Sequence, residues 1–246
     1  MTAYHLFARV YDRLMDNRPE HWARYVQSLL GELGIDPPAR VLDAGCGTGM
    51  MSLALAQDGY RVNGTDISPA MLDQAAQAAH RLGVHVEWEE MDMRSLDPLE
   101  PEQAVTCVCD PVNYLLEQDD VQAFFMSACQ ALVPGGVLLF DVSTPFYYQH
   151  ELGTQTFAHQ EPEAAYILQT TAEASRCRMD LTVFALQNNG MYLRAQETHL
   201  LTGYPKQTLT QLLEQAGFGS IACYAFGTHV PAQDTDHRWQ FVAIKP

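Results

Sequence analysis

The chain has 246 residues, room for one large α/β domain or for a core with a sizeable insertion. Its 47% hydrophobic and 18% charged content is that of a globular protein, not a disordered one. Fourteen basic against thirty acidic residues give a formal net charge of −16, which argues against a nucleic-acid partner, since neutralising phosphates takes Lys and Arg.

Two helix-like stretches come first. Leu6, Val10 and Leu14 share one face of the first, and Val26, Leu29, Leu30 and Leu33 form the stripe of the second. Arg9, Asp12 and Arg13 interrupt the first, which rules out a signal peptide. From Pro37 to Asp141 short β-like runs ("RVLDA", "YRVNGTD", "VHVEWEE", "AVTCVCD", "GVLLFDV") alternate with the helical "MMSLALAQ", "SPAMLDQAAQAAHRLG" and "DDVQAFFMSACQALVPGG". Ser68 before Pro69 is an N-cap with a first-turn proline, Gly83 suits a C-terminal stop, and "LVPGG" reads as a second stop. This alternation predicts a parallel, doubly wound sheet with right-handed crossovers.

From about Phe146 to Thr202 the rhythm is lost. "AAYILQTT", "CRMDLTVFAL" and "MYLRAQETHLL" read as antiparallel strands, with "QNNG" as a hairpin turn between the last two. The α/β pattern returns in "KQTLTQLLEQAGF", a helix stopped at Gly217, and in a final strand pair, "IACYAFG" and "RWQFVAIK". The expected fold is α/β: a Rossmann-like, doubly wound, seven-stranded, mostly parallel sheet with an antiparallel β subdomain inserted after the fifth strand. The expected segments are a ligand-binding core over 1–145, an insertion capping the substrate site over 146–202, and the completing helix and two strands over 203–246. No apolar run approaches the roughly 20 residues that span a bilayer, so no membrane partner is expected. Six scattered cysteines read as reduced, mostly buried thiols of a cytoplasmic protein. The nine histidines show no metal-binding spacing, and no metal is expected.

The densest chemical signal is "VLDAGCGTG". A strand feeding a helix through a glycine-rich turn brings backbone N–H groups against a ligand, and side chains at Gly45, Gly47 and Gly49 would block that approach. The spacing is D-x-G-x-G-x-G. The dinucleotide pattern would need glycine at position 50, which is Met50, and Asp43 would repel a pyrophosphate but could orient an ammonium group. An aminoacyl nucleoside therefore fits better than a nicotinamide dinucleotide.

Here the sequence resembles the class I S-adenosylmethionine (SAM) dependent methyltransferases, over roughly residues 38–145 and more weakly over the closing helix and strands. "VLDAGCGTG" matches their first motif, "GTDIS" the end of the second strand and "EMDMRSL" the end of the third. The resemblance implies SAM as cofactor, with Asp66 on both ribose hydroxyls, Asp92 accepting from the adenine amino group and Met93 offering its backbone. It extends the cofactor-binding set to Asp43, Gly45, Cys46, Gly47, Gly49, Ile67, Met71 and Asp110. "FARVYDRLM", "CDPVNYLL", "FDVST" and "ETHLLTGYPKQTLTQLLEQAGF" further resemble a bacterial branch of small cytoplasmic methyltransferases with a C-D-x-x-N-Y-L motif, which carries serine where this chain has Pro111.

Asp110, Asn113 and Tyr114 follow the fourth strand, where open α/β sheets place ligand-facing groups. They either line the methyl-transfer centre or satisfy a local turn. Asp110, Asn113 and Tyr11, which the branch places over SAM, form the expected catalytic set. Phe146, Tyr147 and Tyr148 read as an aromatic wall or as the base of the insertion. Glu197 and His199 alternate onto one face of a strand, as a catalytic or a structural pair. The expected activity is methyl transfer to a small-molecule acceptor; a protein or RNA methyltransferase, or a SAM-binding protein without methylation activity, remains open.

Overall fold

The computed structural model describes residues 8, 11–14, 19–187 and 189–246. Two helices, α1 (Tyr11–Leu14) and α2 (Pro19–Glu32), precede the sheet. The core then runs β1 (Arg40–Ala44), α3 (Met50–Gln57), β2 (Arg61–Asp66), α4 (Pro69–Leu82), β3 (Glu87–Glu90), β4 (Glu102–Cys107), α5 (Gln118–Ala131) and β5 (Leu132–Ser143). Strands β6 (Thr156–Glu161), β7 (Ala164–Glu173), β8 (Arg176–Leu186) and β9 (Tyr192–Thr202) form a separate four-stranded antiparallel sheet. Helix α6 (Lys206–Ala216), β10 (Ser220–Ala225) and β11 (Arg238–Ile244) complete a seven-stranded sheet of order β10-β11-β5-β4-β1-β2-β3. Only β11 runs against its neighbours; the other core pairings are parallel. The Rossmann-like fold expected from the alternation is the one observed.

Helices cover both faces, so the central strands are apolar on both sides. On one face α5 and α6 bury Phe124, Phe125, Leu209 and Leu213 against Phe140 and Phe241, whose rings stack at 4.8 Å. On the other, Val26, Leu30, Met51 and Leu55 from α2 and α3 cover Val41, Val62 and Leu139. Helix α4 starts and stops as read: Ser68 Oγ accepts from the Met71 N–H at 3.4 Å, and Gly83 turns the chain at φ +68°.

The structure departs from the sequence reading in places. "LVPGG" is no turn between elements, because β5 begins at Leu132 and runs through it, pairing Leu132 with Glu102 before a register shift. The second sheet has a fourth strand, β6, in which every residue but Phe157 is exposed, so it lacks the apolar alternation that marks a strand in sequence. Leu6, Val10 and residue 188 of the "QNNG" turn lie outside the described residues. Tyr148 is fully buried with Leu152, Cys177 and Leu201, at the base of the inserted sheet.

Asn113 corrects an expectation. It does not line a reaction centre: it is fully buried, and its amide ties three elements together. Nδ2 donates to the carbonyls of Ser143 (2.9 Å) and Thr202 (2.8 Å), and Oδ1 accepts from the Ser143 N–H (2.9 Å). A planar amide is the one neutral side chain that can both accept from and donate to a backbone in this way. Asn113→Ala orphans one buried N–H and two carbonyls, at about 1–3 kcal/mol per group. The expected loss of at least about 3 kcal/mol lowers the melting temperature by roughly 6–12 °C in calorimetry, and an unchanged melt would remove the amide from this role.

Candidate active site

The strand order reverses between β1 and β4, and the crevice beyond the carboxyl ends of strands at such a switch point is where open α/β sheets bind ligands. A cavity of about 760 Å³ lies there. Its floor is the loop after β1. The Cys46 N–H donates to the Thr65 carbonyl at 2.9 Å, and the Gly47 N–H donates to Asp66 Oδ2 at 2.8 Å. Asp66 Oδ1 accepts from the Ser68 N–H at 2.8 Å, so one carboxylate joins the loop to the start of α4. Burial raises the Asp66 pKa against these bonds.

The three glycines answer to different constraints. A Cβ at Gly47 meets nothing within 4 Å, so this residue opens on the cavity. At Gly45 a Cβ would stand 2.8 Å from the Pro111 ring, and at Gly49 2.6 Å from Trp88 and 2.9 Å from Ala75. Gly49 also does not line the cavity. Bareness there serves the packing of Trp88, which also closes over Gly64.

Asp43 is buried beneath the loop, its Oδ2 accepting from Ser52 Oγ (2.6 Å) and its Oδ1 from Thr106 Oγ1 (2.7 Å). Burial lifts its pKa to about 6 despite both bonds. Across the cavity, Asp92 is held by Arg94, which donates from its backbone N–H (2.9 Å) and from Nη2 (2.6 Å). Arg94 Nη1 also reaches Asp120 Oδ1 at 2.8 Å, and its hydrogen bonds lower the Asp92 pKa. This Asp92–Arg94–Asp120 clamp was not read from sequence, because Asp120 lies 26 residues beyond Arg94 on another helix.

After β4 the chain turns sharply, with Cys109 at φ +67° and Asp110 at φ +58°. Both N–H groups donate to the buried carboxylate of Asp141, at 2.7 and 3.2 Å. Arg238 pairs with Asp141 and lies 3.3 Å from Asp110, whose carboxylate also accepts from Ser143 Oγ at 3.1 Å. Asp110 therefore faces Arg238 and Ser143, between Cys109 and Pro111, which line the cavity. Burial pushes the thiols of Cys46 and Cys109 well above their ordinary pKa, so neither supplies a thiolate.

Helix α1 closes one side. Asp12 Oδ1 accepts from Thr48 Oγ1 at 2.6 Å, while Tyr11 packs on the apolar cluster of Leu14, Ala164, Leu181 and Val183. Both residues line the cavity. None of the described lining residues comes from 146–202; the inserted sheet reaches the cavity through α1 and through Tyr114, whose hydroxyl lies 3.2 Å from His199 Nδ1. Ile67, Met71, Met93 and Cys46 also line it.

Comparison with known proteins agrees with this geometry. The methyltransferase-domain family model matches residues 41–136. A Geobacillus sp. (strain WCH70) protein with a provisional methyltransferase name is 33% identical, over 98% of this chain and 99% of its own. The chain belongs to the methyltransferase family. The methyltransferase also shares its fold with a SAM-dependent methyltransferase from Clostridium acetobutylicum, at a TM-score of 0.87 and 22% identity, with 99% of each chain covered. A relative from Saccharopolyspora spinosa, 24% identical over 85% of this chain and 84% of its own, is named a dTDP-4-amino-2,3,4,6-tetradeoxy-D-glucose N,N-dimethyltransferase. The fold of this chain is the Rossmann-like one of SAM-dependent methyltransferases.

The buried charge of Asp43 gives this methyltransferase a measurable pH signature. A carboxyl raised to about 6 when folded binds its proton more tightly than when unfolded. Its contribution to stability is full below about pH 4 and is lost as pH rises through about 6. Asp43→Asn removes that loss, so the variant should melt no lower than the parent at pH 7 and should gain on it between pH 4 and 6.5 in paired melts. Its affinity for S-adenosylhomocysteine should fall roughly tenfold, the loss of about 1.4 kcal/mol of attraction for an ammonium.

Proposed function

We propose that this methyltransferase transfers the methyl group of SAM to a small molecule held in the cavity at the β1/β4 switch point. The observation that carries the reading is that cavity, floored by Gly47 and Asp66 and closed by α1. Its volume of about 760 Å³ falls among small-molecule sites rather than open protein-docking faces. The amino-sugar substrate named for the relative from Saccharopolyspora spinosa belongs to the same class, and the net charge of −16 disfavours RNA.

The residues present fit SAM. Open space above Gly47 admits a ligand against the loop backbone. Asp66 stands at the end of β2 to accept from ribose hydroxyls, Asp43 supplies negative charge under the amino-acid end, and Ile67, Met71 and Met93 offer apolar surface to adenine. When bound, SAM supplies a methyl group made electrophilic by its sulfonium. The protein's part is then orientation and exclusion of water, with no nucleophile of its own. In this reading the inserted sheet caps the acceptor through α1, which it holds against the loop.

A ligand that binds only the folded state stabilises it by about 2.7 kcal/mol at a hundredfold excess over Kd. S-adenosylhomocysteine should therefore raise the melting temperature by roughly 5–10 °C, while NAD and NADP should leave it in place. Gly47→Val should abolish that shift with the far-UV circular dichroism unchanged. The acceptor class is tested with 13C-methyl SAM and a protein-free metabolite extract: label should appear in small molecules, and its appearance only in added protein or RNA would overturn the reading.

A further inference from the structure

We propose that Tyr114, His199 and Glu197 form a proton relay that strips a proton from an amine acceptor at the cavity wall. The inference deepens the small-molecule reading above and rests on it.

The three groups make successive contacts. Tyr114 ends the short 3-10 turn Pro111–Tyr114 after β4 and lines the cavity. Its hydroxyl is 3.2 Å from His199 Nδ1, and the two rings meet edge to face with centroids 5.9 Å apart. His199 Nε2 is 3.6 Å from a Glu197 carboxylate oxygen, with the two side chains 5% and 9% exposed. The relay requires the Nε2–H tautomer, with Nδ1 accepting from the tyrosine and Nε2 in ion-pair range of the carboxylate.

The setting is costly for mere structure. Glu197 and His199 lie on the inward face of β9, and opposite them β8 places Leu181 and Met179. Burying an ion-pairing Glu and His where the partner strand is apolar costs desolvation that well-packed aliphatic side chains would avoid. A strand that keeps them against an apolar partner, in contact with a tyrosine that lines the cavity, has the form of a relay.

The cavity's charge selects the substrate class. Among the described lining residues, Asp12, Asp43, Asp66, Asp92 and Asp120 stand against Arg94, which is held by Asp92 and Asp120. Such a field attracts cations and repels carboxylates. An alkylamine arrives as an ammonium, whose nitrogen has no lone pair until a base removes a proton. In the relay the ammonium proton passes to the Tyr114 oxygen as the tyrosine's own proton passes to His199 Nδ1, and the imidazolium formed is held by Glu197. The freed nitrogen pair forms the new N–C bond, while the C–S bond pair stays on sulfur as a thioether. The imidazolium later returns its proton to solvent. Other ionisable groups at or beside these three are Tyr11 and Asp12 at the cavity, Tyr147 and Cys177 packed with Tyr114, and Arg178 and Asp180 on β8, which pair with each other.

The test uses the full chain with 13C-methyl SAM and the metabolite extract, then Tyr114→Phe and His199→Gln under single turnover. Unshifted S-adenosylhomocysteine affinity in His199→Gln, which lies off the cavity lining, confirms an intact fold. The label should appear as N-methyl carbon, and both variants should lose roughly 10²–10⁴-fold in rate at neutral pH. That deficit should shrink about tenfold per pH unit as pH rises toward the amine's own pKa, near 10, because the free amine then needs no base. A deficit equal at every pH marks a structural role and overturns the relay, as does label on oxygen, sulfur or carbon. No label in any small molecule, with S-adenosylhomocysteine still bound, overturns the small-molecule reading itself. A substrate-free readout stands beside these: 15N-histidine spectra, assigned with His199→Gln, should show His199 as the Nε2–H tautomer with an Nδ1 resonance that moves in Tyr114→Phe. Protonation at Nδ1 would overturn the relay whatever the substrate.

Discussion

Two hydroxyls, from Ser52 and Thr106, converge on the buried carboxylate of Asp43, and the geometry of the site hangs from that point. Ser52 belongs to α3, which leaves the glycine loop, and Thr106 to β4, across the switch point from β1. One side chain thus fixes the helix that follows the loop and the strand beside it. A neutral residue could hold the same hydroxyls. The carboxylate costs desolvation, visible in a pKa pushed up to about 6, and what it adds is negative charge under the cavity. That trade suits a ligand bearing positive charge.

The same device recurs one strand over. Asp141, also lifted to about 6 by burial and partly relieved by Arg238, accepts the N–H groups of Cys109 and Asp110. Those two residues sit in the left-handed region without being glycine, a conformation that costs about 1–2 kcal/mol per residue. The carboxylate's charge-assisted bonds offset that strain and keep the turn after β4 aimed so that Pro111 and Tyr114 reach the cavity. Gly45 has no Cβ because the Pro111 ring occupies the space.

The fold was legible because its signals are periodic and local. Strand β1 and helices α3 and α4 begin and end where apolar spacing, Ser68 and Gly83 say they should. The loop after β1 was legible as well: its glycine turn and the acidic end of β2 meet, with Gly47 and Asp66 2.8 Å apart. What escaped was whatever depends on two distant segments. Asn113 looks polar and available in sequence, and only the approach of Ser143 and Thr202 shows its amide fully used. Asp110 reads in sequence as a free carboxylate, and its ion pair with Arg238, at the far end of the chain, shows only in the fold. The packing of Trp88 against Gly49 likewise joins segments 39 residues apart.

Tyr11 and Asp12 are consecutive residues on α1, yet they answer to different sheets. Asp12 holds Thr48 of the loop; Tyr11 is packed with Ala164, Leu181 and Val183 of the insertion. Two adjacent side chains thus carry contact from the loop after β1 to the inserted sheet, so a shift in either one loads the other.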